Sequence, residues 1–216
     1  GGLDAIQQLF DNIPEDTGMA FVIVQHLSPN FKSLMPQLLA KHTRMKIFKA
    51  ESKQILQPNC IYLNENTKNL VLKGNQFQLV DKSPKPNLNL PIDIFFHTLG
   101  EEHKDNSVGV ILSGTGSDGS RGMRTIKEAG GILIVQEPES AQFDGMPNTS
   151  IATHLVDFIL NPKEIAETLI KIPTNRIFLT DEEKTREVIY YQILDLVQKN
   201  STIDFKQSKN NTLLRR

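Results

Sequence analysis

The fold is decided by residues 108–135, VGVILSGTGSDGSRGMRTIKEAGGILIV. An apolar run (108–112) is followed by a glycine-rich loop (113–119) and then by a segment with helical spacing (120–129) that ends at paired glycines. A second apolar run (132–135) follows, and both runs have the composition of strands buried in a parallel sheet. This order predicts a βαβ unit with a right-handed crossover.

The flanking segments repeat the alternation of apolar runs and amphipathic helices. Apolar spacings of three and four predict helices over residues 3–13, 33–42, 92–103 and 162–171. Residues 20–25 are predicted to form a strand buried on both faces, and residues 60–63, 69–72 and 76–80 to form short strands of a small hairpin region. The sequence therefore predicts an α/β fold: a three-layer, doubly wound domain with a mostly parallel sheet, a small hairpin region and a C-terminal helical tail.

Composition excludes several classes of function. The 216 residues include 24 Lys and Arg against 25 Asp and Glu, a formal charge of −1, which argues against nucleic acid as the main partner. The single Cys60 excludes an intrachain disulfide and favours a reducing compartment. No apolar run approaches the roughly 18 residues of a membrane span, so direct membrane insertion is not expected.

The pattern changes near the C-terminal end. Residues 1–172 are predicted to form one catalytic domain, 173–180 a linker, and 181–216 the beginning of a helical unit. Thr180 and Glu183 form a capping box for the first helix of that unit. Because the first residue is Gly1 rather than methionine, we expect the chain to be part of a longer protein.

Three features are expected at one rim of the sheet, because ligands in doubly wound folds bind beyond the carboxyl ends of the strands. His26 follows the strand predicted over residues 20–25, and the loop 113–119 follows the strand over 108–112. Gly1 and Gly2 open the first helix, so the residues before them lie where a strand would pass into a helix. The rim is therefore the candidate site.

The residue types at this rim suit acyl-transfer chemistry. His26 is the natural general base, because an imidazole titrates near neutral pH, although a structural histidine is the alternative. Asp118 would orient that imidazole, or would instead cap a helix beside its positive dipole end. Backbone N–H groups of Thr115 and Gly116 could stabilise an oxyanion.

The same loop also matches a rival motif. Residues 114–119 fit G-x-G-x-x-G, and Glu137 lies at roughly the distance of a ribose-binding carboxylate, which suggests a dinucleotide-binding module. Asp118 counts against this interpretation, because a carboxylate inside the loop would repel a pyrophosphate. The rim hydroxyls Ser28, Ser113 and Ser117 are poor substitutes for a positioned nucleophile. The other histidines, predicted on helices without metal-ligand spacing, are His42, His97, His103 and His154.

Several stretches together match a known family. They are Gly1-Gly2-Leu3 with Ala5-Ile6, Val24-Gln25-His26, Leu90-Pro91-Ile92-Asp93 with Phe95-Phe96, residues 109–119, and Phe143-Asp144-Gly145-Met146-Pro147. In order and spacing, residues 1–172 resemble the catalytic domain of CheB-type protein-glutamate methylesterases, in the version fused to a CheR-type methyltransferase. This resemblance implies the same doubly wound fold and a cytoplasmic location.

The resemblance also implies a Ser-His-Asp triad. By the family's pattern His26 is the triad histidine and Asp118 the aspartate, and the backbone at Thr115, where many relatives carry methionine, contributes to the oxyanion hole. The serine belongs to a G-x-S-x-G-G turn whose last two glycines match Gly1 and Gly2, so it is expected two residues before Gly1. The 216-residue chain by itself is therefore expected to have little or no esterase activity.

The implied function is removal of methyl esters from chemoreceptor glutamates during chemotaxis adaptation, with glutamine deamidation as a side activity. The implied partners are methylated cytoplasmic helices of chemoreceptors, and no metal or organic cofactor is required. Residues 191–216 resemble the opening of the helical N-terminal subdomain of CheR-type methyltransferases; S-adenosylmethionine would bind only to the remainder of such a domain. A non-catalytic receptor-docking or regulatory module is the alternative function, besides the dinucleotide-binding module.

Overall fold

The structure is a computed structural model that describes residues 2–26, 34–83 and 89–175. Helices and strands alternate along most of this length. The helices are α1 (Leu3–Asp11), α2 (Met35–Leu39), α3 (Pro91–His103), α4 (Gly122–Glu128), α5 (Gly145–Ile151) and α6 (Pro162–Asn175). The strands are β1 (Ala20–Ile23), β2 (Lys46–Lys49), β3 (Cys60–Leu63), β4 (Lys68–Lys73), β5 (Gln76–Asp81), β6 (Val108–Ile111), β7 (Ile132–Gln136) and β8 (Phe158–Leu160).

The strands build two parallel sheets and a hairpin. In the first sheet β3 lies between β1 and β2, with Ala20 and Lys46 both in register with Cys60. In the second sheet β7 lies between β6 and β8, and Val108 is in register with Ile132. The predicted βαβ unit is confirmed, because β6 and β7 are parallel and α4 connects them.

The hairpin prediction is correct only in part. β4 and β5 pair antiparallel around a turn at Gly74, whose φ of 56° suits glycine. Cys60–Leu63, predicted as part of the hairpin, is instead the buried central strand of the first parallel sheet. Its neighbour β2 was not predicted, because the sequence Lys-Ile-Phe-Lys is too short and polar to stand out as a strand.

Helices cover both faces of the parallel strands, which confirms the three-layer α/β prediction. Alternate residues of β3 enter different cores: Cys60 and Tyr62 pack on the side of α3 and α4, and Ile61 and Leu63 on the side of α1 and α6. A sheet buried on both faces needs apolar residues at successive positions, which is why these strands are continuous apolar runs.

A cavity of about 1290 Å³ separates the two sheets. Its walls include residues of β1 and β6, the edge strands that face one another, and apolar side chains from α1, α3 and α6: Ile6, Leu9, Phe10, Phe95, Phe96, Leu99, Leu169 and Ile172. Strand β1 was predicted to be buried on both faces, but Ala20 is exposed and Phe21, Val22 and Ile23 are only half-buried. The prediction is confirmed in part: Val22 and Val24 pack against one core, and Phe21 and Ile23 pack against the other, but burial is incomplete.

Smaller differences concern turns and histidines. Residues 145–147, whose composition is typical of a turn, form the first turn of α5. His42 and His154 lie in turns rather than on helices, and His154 has a φ of 59°. Helix α6 extends to Asn175, beyond the helix predicted over residues 162–171. The predicted unit at 181–216 lies outside the described residues.

Candidate active site

The structure brings His26 and Asp118 into direct contact. The Nε2 atom of His26 lies 2.7 Å from Oδ2 of Asp118, although 92 residues separate them in the sequence. The Asp118 side chain is 4% exposed and that of His26 is 55% exposed. A buried carboxylate therefore supports an imidazole that remains accessible to a substrate, as the third member of a triad does.

Asp118 is held by the first turn of helix α3. The backbone N–H of Ile92 donates to Asp118 Oδ2 at 3.0 Å, and the N–H of Asp93 donates to Oδ1 at 2.9 Å. These amides have no partner within the helix, so the carboxylate satisfies two donors and lies at the positive end of the dipole. The two interpretations of Asp118 are thus compatible: it caps a helix and contacts His26, and the capped helix is α3 rather than the helix that follows it in sequence.

Asn64, which the sequence analysis did not identify, holds the backbone next to His26. Its side chain accepts a hydrogen bond from the Gln25 N–H at 3.0 Å and donates one to the Gln25 carbonyl oxygen at 2.9 Å. Its backbone N–H donates to the Ile23 carbonyl, which continues the pairing of β1 with β3. The buried Asn64 side chain therefore extends the hydrogen bonding of the sheet by one residue and fixes the backbone of Gln25, next to His26. A polar residue directly after a buried strand was the available signal.

The electrostatic surroundings favour the protonated form of His26. The hydrogen bond with Asp118 is the largest influence and raises the pKa of His26 above its usual 6.5. Partial burial opposes this rise, the charge of Asp118 adds to it, and the positive charge of Lys82 lowers the pKa. A stabilised imidazolium is what a general base needs at the moment it accepts a proton.

The ring orientation differs from the serine protease template. There the aspartate binds Nδ1 and the nucleophile binds Nε2; here Asp118 binds Nε2. A nucleophile would therefore meet Nδ1 in this orientation, and the template arrangement requires another rotamer of His26.

The loop with the candidate oxyanion donors is fixed by residues 143–146. The Gly114 N–H donates to the Phe143 carbonyl, the Met146 N–H donates to the Gly114 carbonyl, and the Phe143 N–H donates to Ser113 Oγ, at 2.9 to 3.0 Å. Thr115 and Gly116 are exposed, and their N–H groups bind no acceptor within residues 2–26, 34–83 and 89–175. The Phe-Asp-Gly-Met-Pro stretch, to which no chemistry was assigned, thus supports the loop that carries these two exposed residues.

The beginning of α1 lies against this loop. Gly2 has a φ of 91°, and a Cβ atom added to it would lie 2.9 Å from the Ser113 carbonyl oxygen. Only glycine fits both the left-handed conformation and the close approach. Gly2, His26, Ser113 and Thr115 all line the cavity between the two sheets. Gly2 and the beginning of α1 therefore lie at the rim where His26 and the loop meet.

The other candidate serines and histidines are less suited to catalysis. Ser113 is buried and its hydroxyl accepts a hydrogen bond from Phe143; Ser28 lies outside the described residues. His42 pairs with Asp11, and His97 contacts Thr125 and Glu101. No cluster of three potential metal ligands occurs within the described segments. Among the helices the structure describes, none has the length and apolar character to cross a membrane.

Comparison with known proteins identifies the family. The CheB methylesterase family profile matches residues 1–169. The chain is 32% identical over 178 residues to the putative protein-glutamate methylesterase/protein-glutamine glutaminase of Leptospira interrogans, covering 82% of this chain and 92% of that protein. This chain belongs to the CheB methylesterase family.

A solved structure and two longer relatives support the same family. The crystal structure of the Thermotoga maritima CheB methylesterase catalytic domain matches with a TM-score of 0.75 at 27% identity, covering 80% of this chain and 93% of that domain. The protein-glutamate methylesterases/protein-glutamine glutaminases of Thermotoga maritima and Methanococcus maripaludis are 30% and 29% identical, and the chain spans 51% and 48% of their lengths. The chain thus spans about half the length of these two relatives.

Proposed function

We propose that the protein containing this chain hydrolyses γ-glutamyl methyl esters on the cytoplasmic helices of chemoreceptors, and deamidates receptor glutamines as a side activity. The observation that carries the proposal is the 2.7 Å contact between His26 and buried Asp118. The exposed donors Thr115 and Gly116 and the beginning of α1 line the same rim. The proposed substrate locates the activity in the cytoplasm.

The nucleophile of this mechanism is a serine two residues before Gly1, in the family's G-x-S-x-G-G turn. A strand ending in that turn would pass directly into α1, and the cavity between β1 and β6 has an edge strand on each side. A parallel strand in that position would join the two three-stranded sheets into one. Its carboxyl end would then lie beside His26, since ligand sites in doubly wound sheets form at that edge.

Each residue has a defined step in the reaction. The serine oxygen attacks the ester carbonyl carbon while its proton passes to His26, and the N–H groups of Thr115 and Gly116 bind the oxyanion. Collapse of the tetrahedral intermediate breaks the bond to methoxide, which leaves as methanol with the proton from His26. Water then attacks the acyl-enzyme by the same route and releases the glutamate carboxylate and the free serine. From glutamine the first leaving group is ammonia.

The test compares two proteins. The first extends the chain upstream to include the serine turn, and the second is the 216-residue chain; both are assayed for methanol release from methylated receptor. We expect turnover in the extended protein only. Its Ser→Ala, His26→Ala and Asp118→Asn variants should lose most activity, about 10⁴- to 10⁶-fold by analogy with known triads.

Two outcomes would contradict the proposal. Receptor binding without turnover by the extended protein would indicate a docking or regulatory module. Full activity after His26→Ala or Asp118→Asn would show that the triad assignment is wrong. Calorimetry with a nicotinamide dinucleotide tests the remaining alternative, in which residues 114–119 bind a cofactor.

The fusion to a CheR-type methyltransferase remains a proposal based on residues 191–216. If it is correct, S-adenosylmethionine binds to the methyltransferase part, and the methylesterase part requires no cofactor. Methyl transfer and ester hydrolysis by one chain would bring the opposing reactions of adaptation to the same receptor.

A further inference from the structure

Asp93, like Asp118, uses its carboxylate to accept backbone N–H groups at the beginning of a helix. Its Oδ1 atom accepts hydrogen bonds from the N–H groups of Arg121 at 2.9 Å and Gly122 at 2.8 Å, at the beginning of α4. The residue is 9% exposed, and its Oδ2 atom has no hydrogen-bond partner within the described residues. Asp93 therefore caps α4 from within the first turn of α3.

The two caps are reciprocal. Asp118 lies just before α4 and binds the amides of Ile92 and Asp93 in α3, whereas Asp93 lies in α3 and binds amides at the start of α4. Asp118 thus caps α3, the helix that contains Asp93, and Asp93 caps α4, the helix that follows Asp118. Displacement of Asp93 would release the start of α4 and, with it, the turn that holds Asp118.

Close packing leaves this pair little room to adjust. A Cβ atom added to Gly122 would lie 2.7 Å from the Asp93 carbonyl oxygen, and one added to Gly100 would lie 2.8 Å from the backbone of Thr125 and Ile126. The two helices are therefore in backbone contact at both ends. Because α3 and α4 are packed too closely to adjust, we expect a change in the position of the Asp93 side chain to move the turn that contains Asp118.

The electrostatic surroundings of Asp93 agree with a coupled pair. Burial raises the pKa of Asp93, the hydrogen bond from Gly122 opposes that rise, and the negative charge of Asp118 adds to it. The Asp93 oxygen that accepts the two amides is useful in either protonation state, since an uncharged carboxyl or amide oxygen also accepts them.

We propose that Asp93 is a positioning residue for the hydrolytic reaction, which fixes Asp118 through the reciprocal helix caps and thereby fixes His26. This inference rests on the proposed function, in which Asp118 orients His26. Asp93 itself touches neither His26 nor the substrate in this mechanism. Its contribution is the location of its Oδ1 atom rather than its charge.

Two substitutions separate location from charge. Asp93→Asn keeps an acceptor oxygen in place and removes the charge, whereas Asp93→Glu keeps the charge and moves the acceptor by one methylene. Asn161→Ala is the matched control, because the Asn161 side chain accepts the Glu164 N–H at the start of α6 and so also caps a helix, without a contact to Asp118.

The first measurement needs no enzymatic activity. The pKa of His26 is followed by NMR in the 216-residue chain, with its resonance assigned by His26→Gln; the charged groups that act on it are Asp118 and Lys82. We expect the raised pKa to persist in Asp93→Asn and Asn161→Ala, and to fall towards 6.5 in Asp93→Glu. A fall in Asp93→Asn with none in Asp93→Glu would overturn the inference in favour of a charge effect.

The second measurement uses the extended protein and methylated receptor. Misplacement of a catalytic group by about 1 Å can cost about 10² in rate, so we expect kcat to fall about tenfold to a hundredfold in Asp93→Glu, with KM unchanged. Asp93→Asn and Asn161→Ala should retain kcat. If the unsubstituted extended protein is inactive, the proposed function fails while the NMR result still decides the role of Asp93. An active Asp93→Glu protein with an unshifted His26 pKa would show that Asp93 is only a helix cap.

Discussion

At the scale of single residues, the site depends on buried polar groups whose hydrogen bonds are nearly all satisfied. Asp118 receives two backbone amides as well as the His26 ring, and Asn64 binds both polar atoms of the Gln25 backbone. Burial of a carboxylate or amide is costly unless such partners are present. These side chains are consequently fixed in position before a substrate arrives.

The contact of His26 with Asp118 predicts a pH-dependent contribution to stability. Because the pKa of His26 is raised in the folded chain, the contribution is fully present below the unfolded value of about 6.5 and is lost as the pH rises through the higher folded value. The unsubstituted chain should therefore exceed His26→Gln in free energy of unfolding most clearly at acidic pH, with the difference declining as the pH rises. Urea titrations across this range measure it.

Asp118→Asn provides the control for this prediction. In that background the stability difference caused by His26→Gln should lose most of its pH dependence, because the neutral amide no longer favours the imidazolium. A difference that stays flat or increases with pH when Asp118 is present would contradict the raised pKa of His26.

At the scale of elements, the turn between β6 and α4 places Asp118 by means of glycines. Gly119, directly after Asp118, has a φ of 96°, and a Cβ atom added there would lie 2.6 Å from Ile111 Cδ1 and 2.9 Å from Ile92 Cγ2. The position thus demands both a left-handed backbone and the absence of a side chain. Gly116 shares the conformation, with a φ of 88°, but has open space around it.

Gly119→Ala should destabilise the chain through both effects. The left-handed conformation costs an L-residue roughly 1–2 kcal/mol, and forced overpacking typically costs another ~1–3 kcal/mol. The matched control is Gly74→Ala, at a φ of 56° with no atom within 4 Å of the added Cβ, which tests the backbone effect alone. Denaturant unfolding of both variants should show the larger loss for Gly119→Ala; equal losses would mean that the neighbouring side chains move aside without cost.

At the scale of the whole molecule, two parallel sheets face one another across the cavity between β1 and β6. Within the described part of the chain, each edge strand has a partner on one side, and the apolar side chains of α1, α3 and α6 line the space between them. If the proposed serine turn precedes Gly1, the strand that leads into it would cover this surface beside the rim at which His26 and the 113–119 loop meet.

On the proposed function, extension of the chain upstream should stabilise the fold as well as supply the proposed serine. Each fully buried Val, Leu or Ile contributes about 1.5–3 kcal/mol, so a short apolar strand should raise the free energy of unfolding by several kcal/mol. Hydrogen exchange should slow at the amides of β1 and β6, whereas the amides of the β4–β5 hairpin, whose strands pair with each other away from the cavity, serve as the internal control. Unchanged exchange at β1 and β6 would show that the upstream strand pairs elsewhere.

Local sequence patterns were sufficient for much of the fold. The glycine loop between two apolar runs predicts the βαβ unit, and the periodic apolar residues of α1, α3 and α6 predict those helices, because both signals depend on neighbouring residues. Strand β2 and the central place of β3 were missed, since pairing between distant segments leaves little mark on a four-residue stretch.

The sequence by itself determined the α/β class, the residue types at the rim and the family that the motifs resemble. Only the tertiary structure decided that His26 contacts Asp118, that Asn64 anchors the backbone before His26, and that Asp93 and Asp118 cap one another's helices. The physical reason is that secondary structure and motifs depend on side chains near one another in sequence. The hydrogen bonds of a buried site depend on which segments the packing of the sheets and helices brings together.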